Sequence, residues 1–217
     1  HDFDPAKANY GVVADHPELF DINAITDDGQ SDFNHFNGVE YNPALDQIMI
    51  SSRGFNEIYV IDHSTTTAEA ASHAGGNSGM GGDILYRWGN PAKYDRGTAA
   101  DRKLFNQHDA QWVAPGRPGE GNVVIFNNGA SRPGGAYSSA DEIVLPINAS
   151  NTYDLAPGTA YGPADPTWTY VASPPGGFLS PIIGGVQRQP NGNTLICEGT
   201  KGNLFEVTPA GQVVWRY

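Results

Sequence analysis

Positive charge, cysteine and long apolar runs are all scarce in this sequence of 217 residues. Only 12 Lys and Arg residues stand against 24 Asp and Glu, so the formal net charge is −12. Such a chain lacks the basic surface that binds phosphate backbones, which excludes sequence-independent nucleic-acid binding and disfavours anionic membrane surfaces. No run approaches the roughly 18 apolar residues of a membrane-spanning helix, so no membrane insertion is expected. The one cysteine, Cys197, excludes an internal disulfide framework and a multi-cysteine metal site.

Turn-forming residues are abundant by contrast, with 27 glycines and 16 prolines. Hydrophobic residues make up 39% of the chain and aromatic residues 11%, which is enough apolar mass for a packed core. The composition therefore predicts a folded chain with many turns rather than a helical protein.

Three β-favouring runs recur along the chain, each preceded by a turn and followed by a loop that contains glycine. They are Gln47–Ser51, Asn122–Phe126 and Asn193–Cys197. Their starts lie about 70 residues apart, a spacing that indicates internal repeats. Alignment of the repeats predicts four strands in each unit: 38–41, 47–51, 57–61 and 83–88; 110–113, 122–126, 142–147 and 167–171; 185–189, 193–197, 203–207 and 212–217.

Each fourth strand carries two aromatic residues two positions apart, which places both on one face of the strand. The pairs are Tyr86 and Trp88, Trp168 and Tyr170, and Trp215 and Tyr217. We expect these aromatic residues, like Met49, to lie in the core.

Three tandem four-stranded units predict an all-β chain of three β-propeller blades, at about 35–89, 106–171 and 183–217. Residues 1–34 are then the end of a preceding blade or an N-terminal loop segment. A sandwich or barrel of a dozen short strands is the alternative, but it gives no reason for the turn, glycine and aromatic order to repeat. Because propellers usually have 4–8 blades, either further blades lie outside this sequence or chains associate to complete or extend the propeller.

Local signals refine this organisation. Thr66 and Glu69 have capping-box spacing, which predicts a short helix at 70–73. The connection at 148–166 is rich in Pro, Gly and Asn and is predicted to be a loop. The acidic run 27–32 lacks calcium-loop spacing, so we interpret it as a solvated turn.

Candidate functional groups cluster in loops that a four-stranded meander brings to one side of each blade. His35 and His108 precede first strands, and Arg53, Arg132 and Lys201 follow second strands. Together they predict a local cationic pocket for a small anionic group such as a sulfate or carboxylate, with Asn37 and Asn128 as additional lining residues. Alternatively, the cations cap backbone carbonyls or pair with nearby acids, as Arg53 could with Glu57.

The motifs of the chain resemble those of the bacterial arylsulfate sulfotransferase family over about residues 30–217. The matching segments are Asp32–Asn37, Tyr41–Arg53, Ile61–His63, Leu85–Pro91, Gln107–Ala110, Phe126–Gly129 and Leu195–Gly199. The resemblance implies that the three blades are half of a six-bladed propeller.

The resemblance also implies an activity: transfer of a sulfuryl group from an aryl sulfate ester to a phenol through a sulfated histidine. It implies no nucleotide sulfate donor, and we predict no metal or other cofactor, calcium included. His35, His108 and Arg132 match the catalytic positions, while Arg53, Asn37, Asn128 and Lys201 are assigned to substrate binding. The expected partners are a small aryl sulfate and a phenol, and the expected location is periplasmic or extracellular. The resemblance places the sulfated histidine in a later blade, and the third unit has no histidine at Gly184–Gln187. The alternative function is therefore a non-catalytic extracellular propeller that binds ligands or packs into an assembly.

Overall fold

The computed structural model of the chain describes residues 11–217. These residues contain three four-stranded antiparallel sheets, and within each sheet the strands are neighbours in chain order. The chain is therefore all-β, and its sheets have the meander topology of the predicted propeller blades. Two compact units are present: residues up to 103 with 146–162, and 104–145 with 163–217. The assignment of residues 1–34 to a preceding blade stays a prediction, and its first ten residues lie outside the described residues.

The first sheet belongs to the first compact unit. Its strands are β1 (Phe36–Asn42), β2 (Gln47–Ser52), β3 (Glu57–Asp62) and β4 (Ile84–Trp88). Phe55, Tyr59 and Ile84 form a core cluster on which Phe20 and Phe33 pack, so the segment before β1 covers part of this sheet. The loop 146–162 adds Tyr153, whose hydroxyl donates to Gln47 Oε1 at 2.6 Å.

The second and third sheets belong to the second unit and share one core. Their strands are β5 (His108–Trp112), β6 (Val123–Asn127), β7 (Ser139–Ile143) and β8 (Trp168–Tyr170), then β9 (Gly185–Arg188), β10 (Thr194–Glu198), β11 (Asn203–Val207) and β12 (Val213–Arg216). Phe126 and Tyr170 of the second sheet are buried together with Val186, Ile196 and Phe205 of the third.

Helices are short throughout residues 11–217. The one α-helix described is α1 (Thr67–Ala70), and single 3₁₀ turns occur at Val13–Asp15, Gln30–Asp32, Pro91–Tyr94, Ala99–Asp101, Pro175–Gly177 and Gly199–Lys201. The predicted capping box of α1 is confirmed, with Glu69 N donating to Thr66 Oγ1 and Thr66 N donating to Glu69 Oε2. The helix begins directly after its cap, so the prediction of 70–73 was three residues too late. In this part of the chain, no helix has the length and apolar character needed to cross a bilayer.

One predicted strand was misplaced: the third strand of the second sheet spans 139–143 rather than 142–147. The apolar run that follows Glu142 suggested the later position, but Val144 is 48% exposed and lies beyond the strand. The strand instead includes Asp141, which is buried and accepts a hydrogen bond from Asn127 Nδ2 at 2.9 Å. A buried carboxylate with a partner can occupy a strand position that composition alone does not favour.

The burial of the aromatic pairs was predicted correctly in part. Tyr86, Trp88 and Tyr170 are buried, as is Met49, and Trp168 packs against the core of the second unit. The last pair differs, because Trp215 of the edge strand β12 is 46% exposed and Tyr217, which follows that strand, is 83% exposed.

Candidate functional site

Both histidine motifs lie where the first strand of a sheet begins, at an irregularity in the strand pairing. β1 shifts register between Phe36 and Gly38, and β5 shifts between His108 and Gln111. The backbone is left-handed at His35, with φ of 39°, and at Asp109, with φ of 49°. Bulges and positive φ at non-glycine residues re-aim side chains and are concentrated at functional sites. Both histidine motifs therefore stand where the backbone departs from regular strand geometry.

His35 lies beside two carboxylates in the first unit. Its Nδ1 is 2.5 Å from Asp32 Oδ2 and 3.5 Å from Asp28 Oδ2, and its side chain is one-third exposed. One nitrogen of the ring therefore lies beside two carboxylates. Asn37, two residues further along, is half-buried in the bulge of β1.

Arg53 approaches the same carboxylates from the turn between β2 and β3. Its backbone N donates to His35 O at 3.0 Å, and its guanidinium forms an ion pair with Asp28. Asp28 thus links Arg53 to His35, and the cationic charge predicted for this loop is balanced by an adjacent carboxylate. The run 27–32 is therefore part of a charged network rather than only a solvated turn.

The suggested pair of Arg53 with Glu57 was wrong. Glu57 is fully buried, and its two carboxylate oxygens accept from Nε and Nη2 of Arg87, at 3.0 and 2.5 Å. A carboxylate buried on β3 needs a partner that is buried with it, and Arg87 on the neighbouring strand β4 provides one.

His108 is held in one orientation by Asn128 in the second unit. Asn128 is fully buried and its Nδ2 donates to the carbonyls of Ser180 and Ile183, at 2.7 and 3.1 Å. These two donations identify which atom of the Asn128 amide is the nitrogen, so the atom 2.8 Å from His108 Nδ1 is the oxygen Oδ1. Because an amide oxygen only accepts, His108 Nδ1 carries the hydrogen, and the lone pair of the neutral ring lies on Nε2.

Arg132 is directed towards its own loop. Its Nε donates to Tyr137 O at 3.1 Å and its Nη2 to Ser139 Oγ at 2.6 Å, while the guanidinium lies 4.5 Å from the centroid of the Tyr137 ring. The contact with Tyr137 O is therefore the carbonyl capping that the sequence left open as an alternative. A guanidinium has five N–H donors, and these two bonds use only two of them.

Lys201 is paired with a buried acid of the third sheet. Its Nζ lies 2.6 Å from Glu198 Oε1, which also accepts from Leu179 N at 3.0 Å. Burial raises the pKa of Glu198, but the hydrogen bonds from Lys201 and Asn203 outweigh burial and leave the pKa below its usual value. Glu198 is therefore a fixed anion, and Lys201 is its half-exposed counter-ion.

Comparison with known proteins places the chain in a family. The arylsulfotransferase (ASST) family model matches residues 3–214. The chain belongs to the arylsulfotransferase family. No curated protein matches it. Among solved structures, the chain is similar to a crystal structure of a protein of unknown function from Bacteroides caccae, with 13% identity and a TM-score of 0.44. The match covers 84% of this chain and 45% of that one, so this chain spans under half of that protein's length.

Each compact unit of this arylsulfotransferase chain thus assembles its own polar centre. The first brings His35 and Arg53 together around Asp28, and the second brings His108 into contact with Asn128. Arg132 and Lys201 contact neither centre directly in the hydrogen bonds described above. Within residues 11–217, no group of three or more His, Cys, Asp or Glu side chains is arranged to hold a metal ion.

The sequence of this arylsulfotransferase chain did not identify the residues that contact and orient His35 and Asn128. Asp28 and Asp32 were visible as an acidic run before His35, and this adjacency was the available signal. Ser180 contributes a carbonyl to Asn128 from a loop 52 positions away, and no local pattern marks it.

Proposed function

We propose that this protein transfers a sulfuryl group from an aryl sulfate ester to a phenolic acceptor, without a nucleotide donor, through a covalent sulfohistidine. The observation that carries the proposal is the bond from His108 Nδ1 to Asn128 Oδ1, together with membership of the arylsulfotransferase family. Because the third unit has no histidine at Gly184–Gln187, we assign the nucleophile to His108 Nε2. The proposal includes the periplasmic or extracellular location, which rests on the acidity of the chain and on the family.

The proposed step uses the lone pair that the Asn128 contact places on Nε2. This pair attacks the sulfur of the ester, an N–S bond forms, and the S–O bond to the aryl group breaks, so that the phenolate leaves with the electron pair. The ring gains positive charge while Nδ1 keeps its hydrogen, and Asn128 Oδ1 stabilises that charge by accepting from it. An acceptor phenolate then attacks sulfur, and the N–S pair returns to Nε2.

A second group that can give up and take up a proton is needed both when the aryl group leaves and when the acceptor attacks. The leaving phenolate takes up a proton, since phenols have a pKa of about 10, and the acceptor phenol must lose one. We assign this role to His35, because the family resemblance gives it a catalytic position and its Nδ1 lies 2.5 Å from Asp32 Oδ2.

The arginine and lysine side chains are proposed to bind the sulfuryl group and the rest of the substrate. Sulfuryl oxygens carry negative charge, which guanidinium and ammonium groups stabilise through charge-assisted hydrogen bonds. We assign Arg132 to this role through the N–H groups that its two loop contacts do not use, and Arg53, Lys201, Asn37 and Asn128 to substrate binding or support.

The test is incubation of the protein with a nitrophenyl sulfate and a phenol, followed by nitrophenolate absorbance and by the mass of the peptide that contains His108. We expect phenol-dependent nitrophenolate release and, without phenol, a gain of one sulfuryl group on His108. His108→Ala should abolish both signals. His63→Ala is the matched control, since His63 is exposed and bonds only outside the site, to Asp46 at 2.7 Å.

Removal of the orienting contact gives a finer test. Asn128→Ala should lower kcat at least tenfold, about 1.4 kcal/mol of transition-state stabilisation, because the variant loses the amide oxygen that accepts from Nδ1. Asn128→Asp restores an acceptor and should recover part of the rate. If the His108 variant keeps the wild-type transfer rate, the assignment of the nucleophile fails.

A non-catalytic binding function is the second candidate. It is favoured by the pairing of Arg53 with Asp28 and of Lys201 with Glu198, because cations that are already neutralised bind an anion without activating it. Saturable binding of an aryl sulfate with no turnover and no mass gain would support this candidate and exclude transfer.

A further inference from the structure

The acidic segment that precedes β1 is bonded to the turn between β2 and β3, which contains Arg53. The backbone N of Asp27 donates to Gly54 O at 3.0 Å, and the Asp27 carboxylate accepts from Asn56 Nδ2 at 3.0 Å. Asp27 thus anchors the segment to this turn, and the next residue, Asp28, reaches Arg53.

The Asp28 carboxylate lies beside both Arg53 and His35. Its Oδ1 forms the ion pair with the Arg53 guanidinium, and its Oδ2 lies 3.5 Å from His35 Nδ1. The side chains of Asp28 and Arg53 are only 13% and 19% exposed, so water screens this pair little. A carboxylate of the chain itself therefore stands next to a guanidinium and an imidazole, the groups that suit an anionic ligand.

The two adjacent acids of this segment differ in their hydrogen bonds. The Asp27 carboxylate accepts from Asn56 and from Arg102, at 3.0 and 2.8 Å. Within residues 11–217, Asp28 Oδ2 is buried and accepts no hydrogen bond. A buried carboxylate oxygen without a donor is costly, because it has lost the water that would solvate it. The ion pair of Asp28 with Arg53 thus carries a cost that the contacts of Asp27 do not.

A sulfuryl group can use more of the Arg53 donors than Asp28 does. The guanidinium has five N–H groups in a planar fork, and the ion pair with Asp28 uses one nitrogen, Nη1. A sulfate ester offers three terminal oxygens and can accept from two N–H groups of the fork at once, which is a stronger contact than a single one.

We propose that Asp28 is an internal anion that competes with the sulfuryl group of the substrate for Arg53, and that substrate binding displaces it. This inference rests on the proposed function, in which Arg53 binds substrate. Asp28 neutralises Arg53 in the free protein and so sets the affinity of the site for anions. The next residue, Gly29, has a φ of +71° and open space around it, which gives the chain room to turn the displaced carboxylate towards water.

Equilibrium dialysis of radiolabelled inorganic sulfate, at constant pH and ionic strength, tests the competition without turnover. Asp28→Asn keeps the shape of the side chain and removes its charge, so the Kd for sulfate should fall about tenfold or more. Asp27→Asn is the matched control, because this neighbouring acid pairs with another arginine, Arg102, and its removal should leave the Kd near that of the wild type. An unchanged or higher Kd in Asp28→Asn would overturn the proposal, as would an absence of saturable binding in both proteins.

A double variant locates the effect at Arg53. Arg53→Gln should weaken sulfate binding, and the addition of Asp28→Asn to Arg53→Gln should give no further gain, because both residues act through the same guanidinium. A gain in affinity that persists without Arg53 would refute the competition, since the charge of Asp28 would then act on another site.

Carboxylate labelling tests the displacement in the wild-type protein, so it does not depend on the folding of any variant. We expect a carbodiimide and an amine to modify Asp28 slowly in the free protein and several-fold faster in saturating sulfate, while the modification of Asp27 stays the same. Equal or slower modification of Asp28 in sulfate would exclude displacement.

Kinetics separate this proposal from the proposed function. With a nitrophenyl sulfate donor, Asp28→Asn should lower KM, in parallel with the Kd for sulfate. If neither protein releases nitrophenolate but Asp28→Asn binds sulfate more tightly, the competition stands and sulfuryl transfer fails. Turnover with no change in sulfate affinity would leave transfer standing and overturn the competition.

Discussion

The buried pair of Arg87 and Glu57 allows a quantitative prediction about stability. Both side chains have no exposure, and they form two hydrogen bonds, at 3.0 and 2.5 Å. Burial alone would lower the pKa of Arg87, but the Glu57 carboxylate outweighs burial and raises the pKa above its usual value. The perturbation that we consider is Arg87→Met, which keeps much of the volume and removes the charge.

The expected loss in the free energy of unfolding follows from the groups that Arg87→Met leaves without their partner. Glu57 would remain buried, would lose both hydrogen bonds from Arg87 and would keep the one from the Tyr59 hydroxyl, at 2.9 Å. Removal of one partner of a buried ion pair costs about 3–5 kcal/mol. The cation also lies 4.3 Å from the Tyr94 ring centroid and donates to the carbonyls of Pro17 and Leu19, so we expect the upper part of this range.

Thermal and urea unfolding measure the effect. For a chain of this length, a loss of about 3–5 kcal/mol lowers Tm by roughly 6–20 °C. Arg102→Met is the comparison, because its partner Asp27 is 31% exposed and stays hydrated, so we expect about 0–1 kcal/mol.

A double variant separates the uncompensated charge from lost packing. Glu57→Gln combined with Arg87→Met removes both charges, and it should be more stable than Arg87→Met alone. A double variant that loses the sum of the two single effects would refute the reasoning, because the buried carboxylate would then not be the source of the cost.

Two further predictions concern the second unit. Gly129→Ala should destabilise the loop that bears Arg132, because φ is +70° and an added Cβ would overlap the carbonyl oxygen of Tyr137. Gly134→Ala is the control, because Gly134 has a φ of +85° but open space around it. Equal urea midpoints for the two variants would contradict the predicted clash. Burial raises the pKa of Asp109, so the folded state binds this proton more tightly than the unfolded state does. The stability of the wild type should therefore fall relative to that of Asp109→Asn as the pH rises from about 3.8 through the raised pKa. A stability difference between Asp109→Asn and wild type that does not change with pH would contradict the second prediction.

Local chemistry explains which parts of the site were predictable. The capping box of Thr66 and Glu69 involves neighbours in sequence, so its residue types suffice to identify it. His35 and His108 stand in short motifs before predicted strands, so the sequence alone was enough to single them out as candidates. The partner of Arg53 was not predictable in this way, because Asp28 and Glu57 are both acidic and both near in sequence. Only burial distinguishes them, since Glu57 faces Arg87 inside the sheet.

The sequence by itself determined the repeat, the all-β class and the three four-stranded sheets, because period-two patterning and turn residues act over a few positions. It also determined which histidines and cations are candidates for anion chemistry. The tertiary structure decided how these groups are used. Asn128 Oδ1 faces His108 because two distant carbonyls orient the amide, and Trp168 packs on the core of the second unit whereas Trp215 is 46% exposed. Contacts of this kind depend on which sheets meet, and no local pattern of residues encodes them.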